Sequence, residues 1–367
     1  MLTVGYRIWF AVLLVLAGFG FPSNLFAQGV LNIPRAVSIP DLFTGIAIGN
    51  PASTEVTATF TAYQADGTPL ATAGNPVTLT IPAAGQIARN FGDLFGTKAP
   101  FNGWVQVTSA AGGLTGFFLN SNFALTDFDG SGVADPSAEF TLPLAASDGT
   151  SITELTLVNV NADSAMATLT LYGSDGSVLS TANAGLPGRG LIRQTLGALF
   201  GAQVDMTSAS HIRISADRPI VGYEVVVNYL VSGNDVRRET ASVSSQQMTP
   251  ATSYVLPAFV TGGGWLSLLG LVNGAGVSQP VTLTAYKEDG TLWNSPSNPT
   301  RILLNGNGGL RTTVRELFGF PDDAVQTGWI QVTGSAGFLS SYVATGNTAT
   351  PSFALVTGTD VAAASRY

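Results

Sequence analysis

Three segments of the chain alternate apolar and polar residues with a period of two, and all three end alike. Residues 56–67 read VTATFTAYQADG, 167–176 read ATLTLYGSDG and 281–290 read VTLTAYKEDG. Thr occupies the second and fourth positions before each Tyr: Thr59 and Thr61, Thr168 and Thr170, Thr282 and Thr284. The positions between them are apolar: Ala58, Phe60 and Ala62; Ala167, Leu169 and Leu171; Val281, Leu283 and Ala285. Successive side chains of a strand point to opposite faces, so each segment predicts a strand with an inward apolar face and an outward Thr face. The Asp-Gly that follows (Asp66–Gly67, Asp175–Gly176, Asp289–Gly290) supplies the positive φ that a hairpin connection needs.

Other landmarks recur in the same order. Asn50, Asn159 and Asn273 each close an apolar run, and Tyr63, Tyr172 and Tyr286 lie 13 positions later. Each copy opens with a Pro after an aliphatic residue, at Pro40, Pro143 and Pro257. Further on comes LFG, ending at Gly96, Gly201 and Gly319. Here the apolar spacing changes to i, i+3, i+4 (Phe91, Leu94, Phe95; Leu196, Leu199, Phe200; Val314, Leu317, Phe318), which predicts about one helical turn stopped by a C-terminal Gly. Such a turn would plug one end of the sheets. A last strand pattern follows, WVQVTS, HIRIS and WIQVTG.

About 100 residues per copy, with six to eight short strands and one plugging turn, suit a β-sandwich. The pattern resembles the Ig-like or fibronectin-III-like modules strung in tandem on secreted bacterial proteins. The resemblance covers roughly residues 35–350, and no Cys–Trp–Cys signature is present, which sets aside the antibody-type subfamily. The expected fold is all-β, three tandem Ig-like sandwiches, each with a short helical plug, behind a signal peptide. The expected division is a signal peptide at 1–27, sandwiches at 35–125, 139–231 and 253–350, polar linkers at 126–138 and 232–252, and a tail at 351–367. Arg237–Arg238 makes the second linker the expected protease-sensitive joint. The resemblance implies a spacer, adhesive unit or ligand-binding unit.

Composition narrows the setting. Charged residues are 10% of the 367 and hydrophobic ones 45%, so cores can form while Thr, Ser, Asn and Gly supply the polarity. A net charge of −8 excludes the basic stripe a nucleic-acid partner requires, and disfavours an anionic membrane surface. Arg7, the apolar run IWFAVLLVLAGFGF and then PSNLFA read as a Sec-type signal peptide cut after Ala27. The run is shorter than a membrane span requires, so no span is expected in the mature chain. The expected location is therefore secreted, periplasmic or cell surface. The absence of Cys excludes disulfides, thiolate metal sites and a lipidated N-terminal Cys.

Two stretches are candidate sites. DFDGSGVAD places Asp127, Asp129, Ser131, Val133 (through its carbonyl) and Asp135 at calcium-loop positions 1, 3, 5, 7 and 9, with Gly132 at 6. Position 12 is Ala138, with Glu139 one residue late, so either a Ca2+ loop or a solvated polar linker fits, and no cofactor is required. The second candidate is a surface. With Val105/Val107, Ile212/Ile214 and Ile330/Val332 inward, the outward positions hold Trp104 and Gln106, His211 and Arg213, Trp329 and Gln331. Beside Tyr63, Tyr172 and Tyr286 they would form exposed aromatic strips able to grip a carbohydrate or an extracellular protein. The alternative is that the Trp residues pack against a neighbouring unit.

Catalysis has little support. His211 is the only His, it sits where the sister copies carry Trp, and the adjacent Ser210 would point to the opposite face of the strand. The acids lie mostly in turns, where backbone geometry explains them, and no pair stands out at glycosidase spacing. The expectation is an exported non-enzymatic array used for adhesion or as a scaffold. The alternatives are a secreted polysaccharide-active hydrolase or its carbohydrate-binding module, and a structural surface-layer component.

Overall fold

The computed structural model describes residues 29–125, 127–147, 151–232, 235–347 and 353–360. The signal peptide expected at 1–27 lies outside these residues. The described chain is all-β apart from three one-turn helices, and the strands fall into four sheets.

The first repeat comprises β1 (Val30–Ile39), β2 (Leu42–Gly49), β3 (Val56–Gln64), β4 (Val77–Ile81), β5 (Gln86–Asn90), α1 (Phe91–Phe95), β6 (Phe101–Ser109), β7 (Thr115–Asn122) and β8 (Phe128–Gly132). The second comprises β9 (Ser137–Leu142), β10 (Ser151–Asn159), β11 (Ala165–Gly173), β12 (Val178–Leu186), β13 (Leu191–Thr195), α2 (Leu196–Phe200), β14 (Ala209–Ser232) and β15 (Asp235–Ser244). The third comprises β16 (Ser253–Thr261), β17 (Trp265–Asn273), β18 (Gln279–Tyr286), β19 (Thr300–Leu304), β20 (Gly309–Thr313), α3 (Val314–Phe318), β21 (Gln326–Gly334), β22 (Leu339–Asn347), β23 (Phe353–Thr357) and β24 (Thr359–Asp360).

The third repeat shows the plan most simply. One sheet runs β19-β18-β21-β16-β24 and the other β20-β17-β22-β23. Between them lies one apolar core built from both, including Leu256, Leu269, Leu271, Leu283, Ile330 and Val343. The first repeat follows the same pairings, β4-β3-β6-β1 on one side and β5-β2-β7-β8 on the other, joined by the β1–β2 hairpin. In the second repeat the break between β6 and β7 has no counterpart: β14 is a single 24-residue strand, pairing with β11 and β9 along its first half and with β10 and β15 along its second.

The period-two reading holds residue by residue. In β3, Val56, Ala58, Phe60 and Ala62 are buried while the Thr residues between them are exposed or half-buried, and β11 and β18 repeat this. The LFG segments are the helical turns: Phe91, Leu94 and Phe95 are buried, as are Leu196 and Phe200, and Val314 and Phe318. Asn90, Thr195 and Thr313 cap them, and Thr313 forms a reciprocal capping box with Glu316. Gly96 and Gly319 end their helices in the left-handed conformation (φ 61° and 70°), whereas Gly201 leaves that region with ψ 141°.

Three stretches read from sequence as linkers or tail carry strands. Within 126–138 lies β8, which extends the first repeat's sheet beside β7. Within 232–252 lies β15, paired with β14 from Tyr223↔Ser244 to Ser232↔Asp235, so Arg237 and Arg238 lie in a strand. Within 351–367, β23 pairs with β22 and β24 with β16. The first two, FDGSG and DVRRETASVS, carry few of the Val, Ile and Leu residues that mark a strand, whereas β23 (FALVT) is apolar but only five residues long. Polar composition made the first two look like loops, and brevity hid the third.

Candidate functional surface at the junctions between repeats

The Asn that closes each apolar run is the first element of the junction. Asn50, Asn159 and Asn273 are all buried. The Asn50 side-chain amide donates to the carbonyls of Thr54 (2.8 Å), Ile81 (3.2 Å) and Pro82 (3.0 Å). Asn159 does the same to Asp163, Leu186 and Pro187, and Asn273 to Val277, Leu304 and Asn305. Each Oδ1 accepts from the amide two residues on, Ala52, Asn161 or Ala275. Every copy thereby fixes the same tight turn, Pro82–Gly85, Pro187–Gly190 or Asn305–Gly308, closed by an amide-to-carbonyl bond of 2.9–3.0 Å. The third residue of each turn has positive φ: Ala84 49°, Arg189 58° and Asn307 55°.

The Asp-Gly turn is the second element. In each copy the Asp carboxylate accepts from both the hydroxyl and the amide of the residue two on (Thr68, Ser177, Thr291), and these bonds, the hydroxyl's foremost, pull the carboxyls of Asp66, Asp175 and Asp289 below the usual range. The Gly has positive φ: 89° at Gly67, 91° at Gly176 and 81° at Gly290.

These two elements dock on each other, head to tail, twice. At the first junction the Leu191 amide donates 2.9 Å to the carbonyl of Ala65. At the second, the Gly309 amide donates 3.0 Å to the carbonyl of Ser174. Leu191 and Gly309 each follow the tight turn directly, and Ala65 and Ser174 each lie two residues past the Tyr. The glycines permit the approach. A Cβ on Gly67 would stand 2.0 Å from the Gly188 carbonyl oxygen, and one on Gly176 would stand 2.1 Å from that of Gly306.

Each repeat also carries one aromatic pair. Tyr63 lies opposite Trp104 on paired strands, Tyr172 opposite His211, and Tyr286 opposite Trp329. All three pairs stack, at centroid distances of 4.9, 5.1 and 4.2 Å. Their exposure differs, however. Trp104 is 0% exposed, packed with Val158, Leu191 and Val221 of the second repeat. Its indole N–H donates 2.7 Å to the Arg189 carbonyl. Arg189 reaches back to the Gln106 side chain (3.2 Å) and lies 5.8 Å from the Tyr63 ring centre. His211 is 2% exposed, and burial, aided by Arg213, lowers its pKa to about 3, so it is neutral at ordinary pH. Ser210 beside it packs on Gly309. Arg213 pairs with Glu139 at 3.7 Å. The expectation of exposed strips is therefore corrected at Trp104, which the next repeat covers, and at His211, which is buried. Tyr286, Trp329 and Gln331 remain half-buried, with the Tyr286 hydroxyl donating to Gln331 at 3.4 Å.

The β7–β8 and β14–β15 hairpins thicken the first junction. Asp129 accepts from Asn120 (2.6 Å) and from the Tyr223 hydroxyl (2.9 Å), and pairs with Arg35 at 3.1 Å. Glu154 stands 3.7 Å from both Arg35 and Arg193. This arrangement corrects the calcium-loop geometry. Asp127, Asp129 and Ser131 lie in or beside strand β8 rather than in a loop, so residues two apart are drawn out along one face instead of converging on a point. Each is engaged: Asp127 accepts from Thr240 (3.0 Å), Asp129 as above, and Ser131 from the Ser244 amide (3.3 Å). Val133 donates its amide to Gly116, and burial raises the Asp135 carboxyl. Among the described residues no three His, Asp or Glu side chains are grouped to hold a metal ion.

The interlocking turns had a signal in the sequence, the triplicate Asn and Asp-Gly. Their partnership across repeats did not, because period and spacing describe a single repeat.

Among the described residues no helix is long and apolar enough to cross a membrane. No family model matches the chain, and no curated protein does. Among solved structures, the chain is 9% identical to the pilus backbone protein RrgB of Streptococcus pneumoniae, over 91% of this chain and 88% of that one, with a TM-score of 0.17. It is 8% identical to a DUF4785 family protein of Legionella pneumophila, over 91% of each chain, with a TM-score of 0.15. Scores this low show no shared fold.

Proposed function

We propose that the protein is an exported, non-enzymatic scaffold: three Ig-like sandwiches locked into one array outside the cytoplasm, serving a structural or adhesive role. The observation that carries this reading is the duplicated junction. The same turn and the same backbone hydrogen bond are used twice, so both ends of the repeat serve as contact surfaces. A binder built of flexible beads would leave its aromatic strips open, whereas Trp104 and His211 are buried. The export reading is supported by Arg7 with its apolar run and the PSNLFA that follows. A carbohydrate-binding accessory module would have to work through Tyr286, Trp329 and Gln331 alone.

Small-angle scattering on the purified chain tests the array: one rigid particle with no inter-repeat flexing is expected, and a beads-on-a-string profile overturns it. Incubation with a panel of polysaccharides tests the non-enzymatic part, where reproducible release of reducing ends would refute it.

A further inference from the structure

The two internal junctions leave one copy of each docking element over. Among the described residues nothing lies on the third repeat's Asp-Gly head: a Cβ at Gly290 would meet none of their atoms within 4 Å, where Gly67 and Gly176 are pressed against a carbonyl. Among the described residues nothing lies on the first repeat's tight turn: Pro82, Ala83, Ala84 and Gln86 are exposed, whereas Gly190 and Gly308, the counterparts of Gly85, are buried.

Both spare elements are already in docking shape. The Gly290 amide donates 3.0 Å to the Lys287 carbonyl, as Gly67 does to Gln64 and Gly176 to Gly173. The Ala84 amide donates 2.8 Å to the Ala52 carbonyl, as Arg189 does to Asn161 (2.7 Å) and Asn307 to Ala275 (2.9 Å). Tyr286 and Trp329 are stacked, and the Trp329 indole N–H has no partner among the described residues, whereas Trp104 donates to Arg189, the counterpart of Ala84. Position 83 departs from a residue that both internal turns share, with Ala in place of Gly188 and Gly306. A Cβ at those two glycines would meet their own repeat (Ala162 oxygen at 1.8 Å, Gly276 carbon at 2.6 Å), so this difference concerns the turn's own support rather than the partner.

We infer that the third repeat of one copy docks on the first repeat of a second copy through the internal junction's geometry, so that the protein assembles end to end. The Gln86 amide would donate to the Glu288 carbonyl, the Trp329 indole to the Ala84 carbonyl, and Gly290 would close on Ala83. Two different surfaces meet, so the contact is heterologous, and repeating it generates a filament, or a ring where the rotation closes, rather than a symmetric dimer. The inference rests on the junction geometry. A rigid monomeric array would defeat it while leaving the scaffold reading intact.

Two end-blocked variants of the full chain test it. Gly290→Asn keeps a residue tolerant of positive φ and adds side-chain bulk that is harmless in a lone copy. Gln86→Glu puts a charge where the first internal junction has Leu191, only 7% exposed. Wild type is expected to show a ladder of species growing with concentration in sedimentation velocity. Each variant alone should sediment as a monomer with an unchanged thermal midpoint. An equimolar mixture should give a discrete dimer and nothing larger, since one good head and one good tail remain. Wild type that stays monomeric at high micromolar concentration overturns the inference. So does a ladder that survives both substitutions, or a dimer formed by either variant alone, which would indicate a symmetric contact elsewhere.

Discussion

The indole N–H of Trp104 donates 2.7 Å to the carbonyl of Arg189, 85 residues further along the chain and in the next repeat. A side chain that reads as an exposed aromatic is thus the pin of a junction. Trp104→Phe keeps most of the packing but orphans a carbonyl, and should cost about 1–2 kcal/mol. Trp104→Ala leaves a cavity and should cost about 3–5 kcal/mol. Denaturant unfolding followed by Trp-independent circular dichroism measures both. If the smaller change costs more than the larger, the pin assignment is wrong.

Asn273 makes the same case inside a repeat. Its amide serves the Val277 and Asn305 carbonyls at 2.9 and 2.8 Å, and its Oδ1 takes the Ala275 amide. Asn273→Ala should lower stability by about 2–3 kcal/mol through the groups left unpaired. Asn273→Asp should be worse, because a buried carboxylate would face carbonyl oxygens. Thermal melts of the two variants rank these outcomes; an Asp variant as stable as wild type would contradict the assigned donor role.

The strand β8 gives a third expectation. Asp129→Ala removes the close partner of Arg35, leaving only Glu154 at 3.7 Å for a guanidinium held between repeats. A loss of about 3–5 kcal/mol follows for a buried ion pair broken from one side. Millimolar calcium or a chelator should leave the thermal midpoint of wild type unchanged, since the acids of this stretch are spread along a strand. A rise of several degrees with calcium would show that the stretch can rearrange into a loop.

The inside of each repeat was legible because local rules decide it. Alternation at 56–63 set the buried face of β3, and the i, i+3, i+4 spacing at Phe91, Leu94 and Phe95 set α1. What covers a face was not legible. Trp104 and Trp329 sit at the same step of the same motif, yet one is buried by a neighbour and the other is not. Edge strands escaped for a related reason. β8 reads FDGSG, with no apolar stripe, and is held by backbone pairing to β7 and by Ser242 and Ser244, more than 100 residues away. Glu224 was missed altogether, as an acid inside the apolar run of β14 carries no local sign of its partners.

That glutamate sets the last prediction. Glu224 is fully buried, accepts the Leu144 amide at 2.7 Å, and burial pushes its carboxyl up to about 8 despite the nearby Arg311. A folded-state pKa raised from 4.5 means that the native protein holds a proton the unfolded chain releases. Stability from this group is therefore complete below about pH 4.5 and is lost as pH rises to about 8, at no more than about 1.4 kcal/mol per pH unit for one proton. His211 acts in the opposite sense. Its pKa is depressed from 6.5 to about 3, so its contribution is complete above pH 6.5 and lost as pH falls toward 3. Between pH 4.5 and 6.5 the two slopes oppose each other, and wild-type stability should be nearly flat. Glu224→Gln should remove the decline above pH 6.5, and His211→Phe should remove the decline on the acid side. Denaturation midpoints measured from pH 3 to 9 for the three proteins decide it: a Gln variant that still loses stability between pH 6.5 and 8 would show that the decline comes from another group and not from the Glu224 proton.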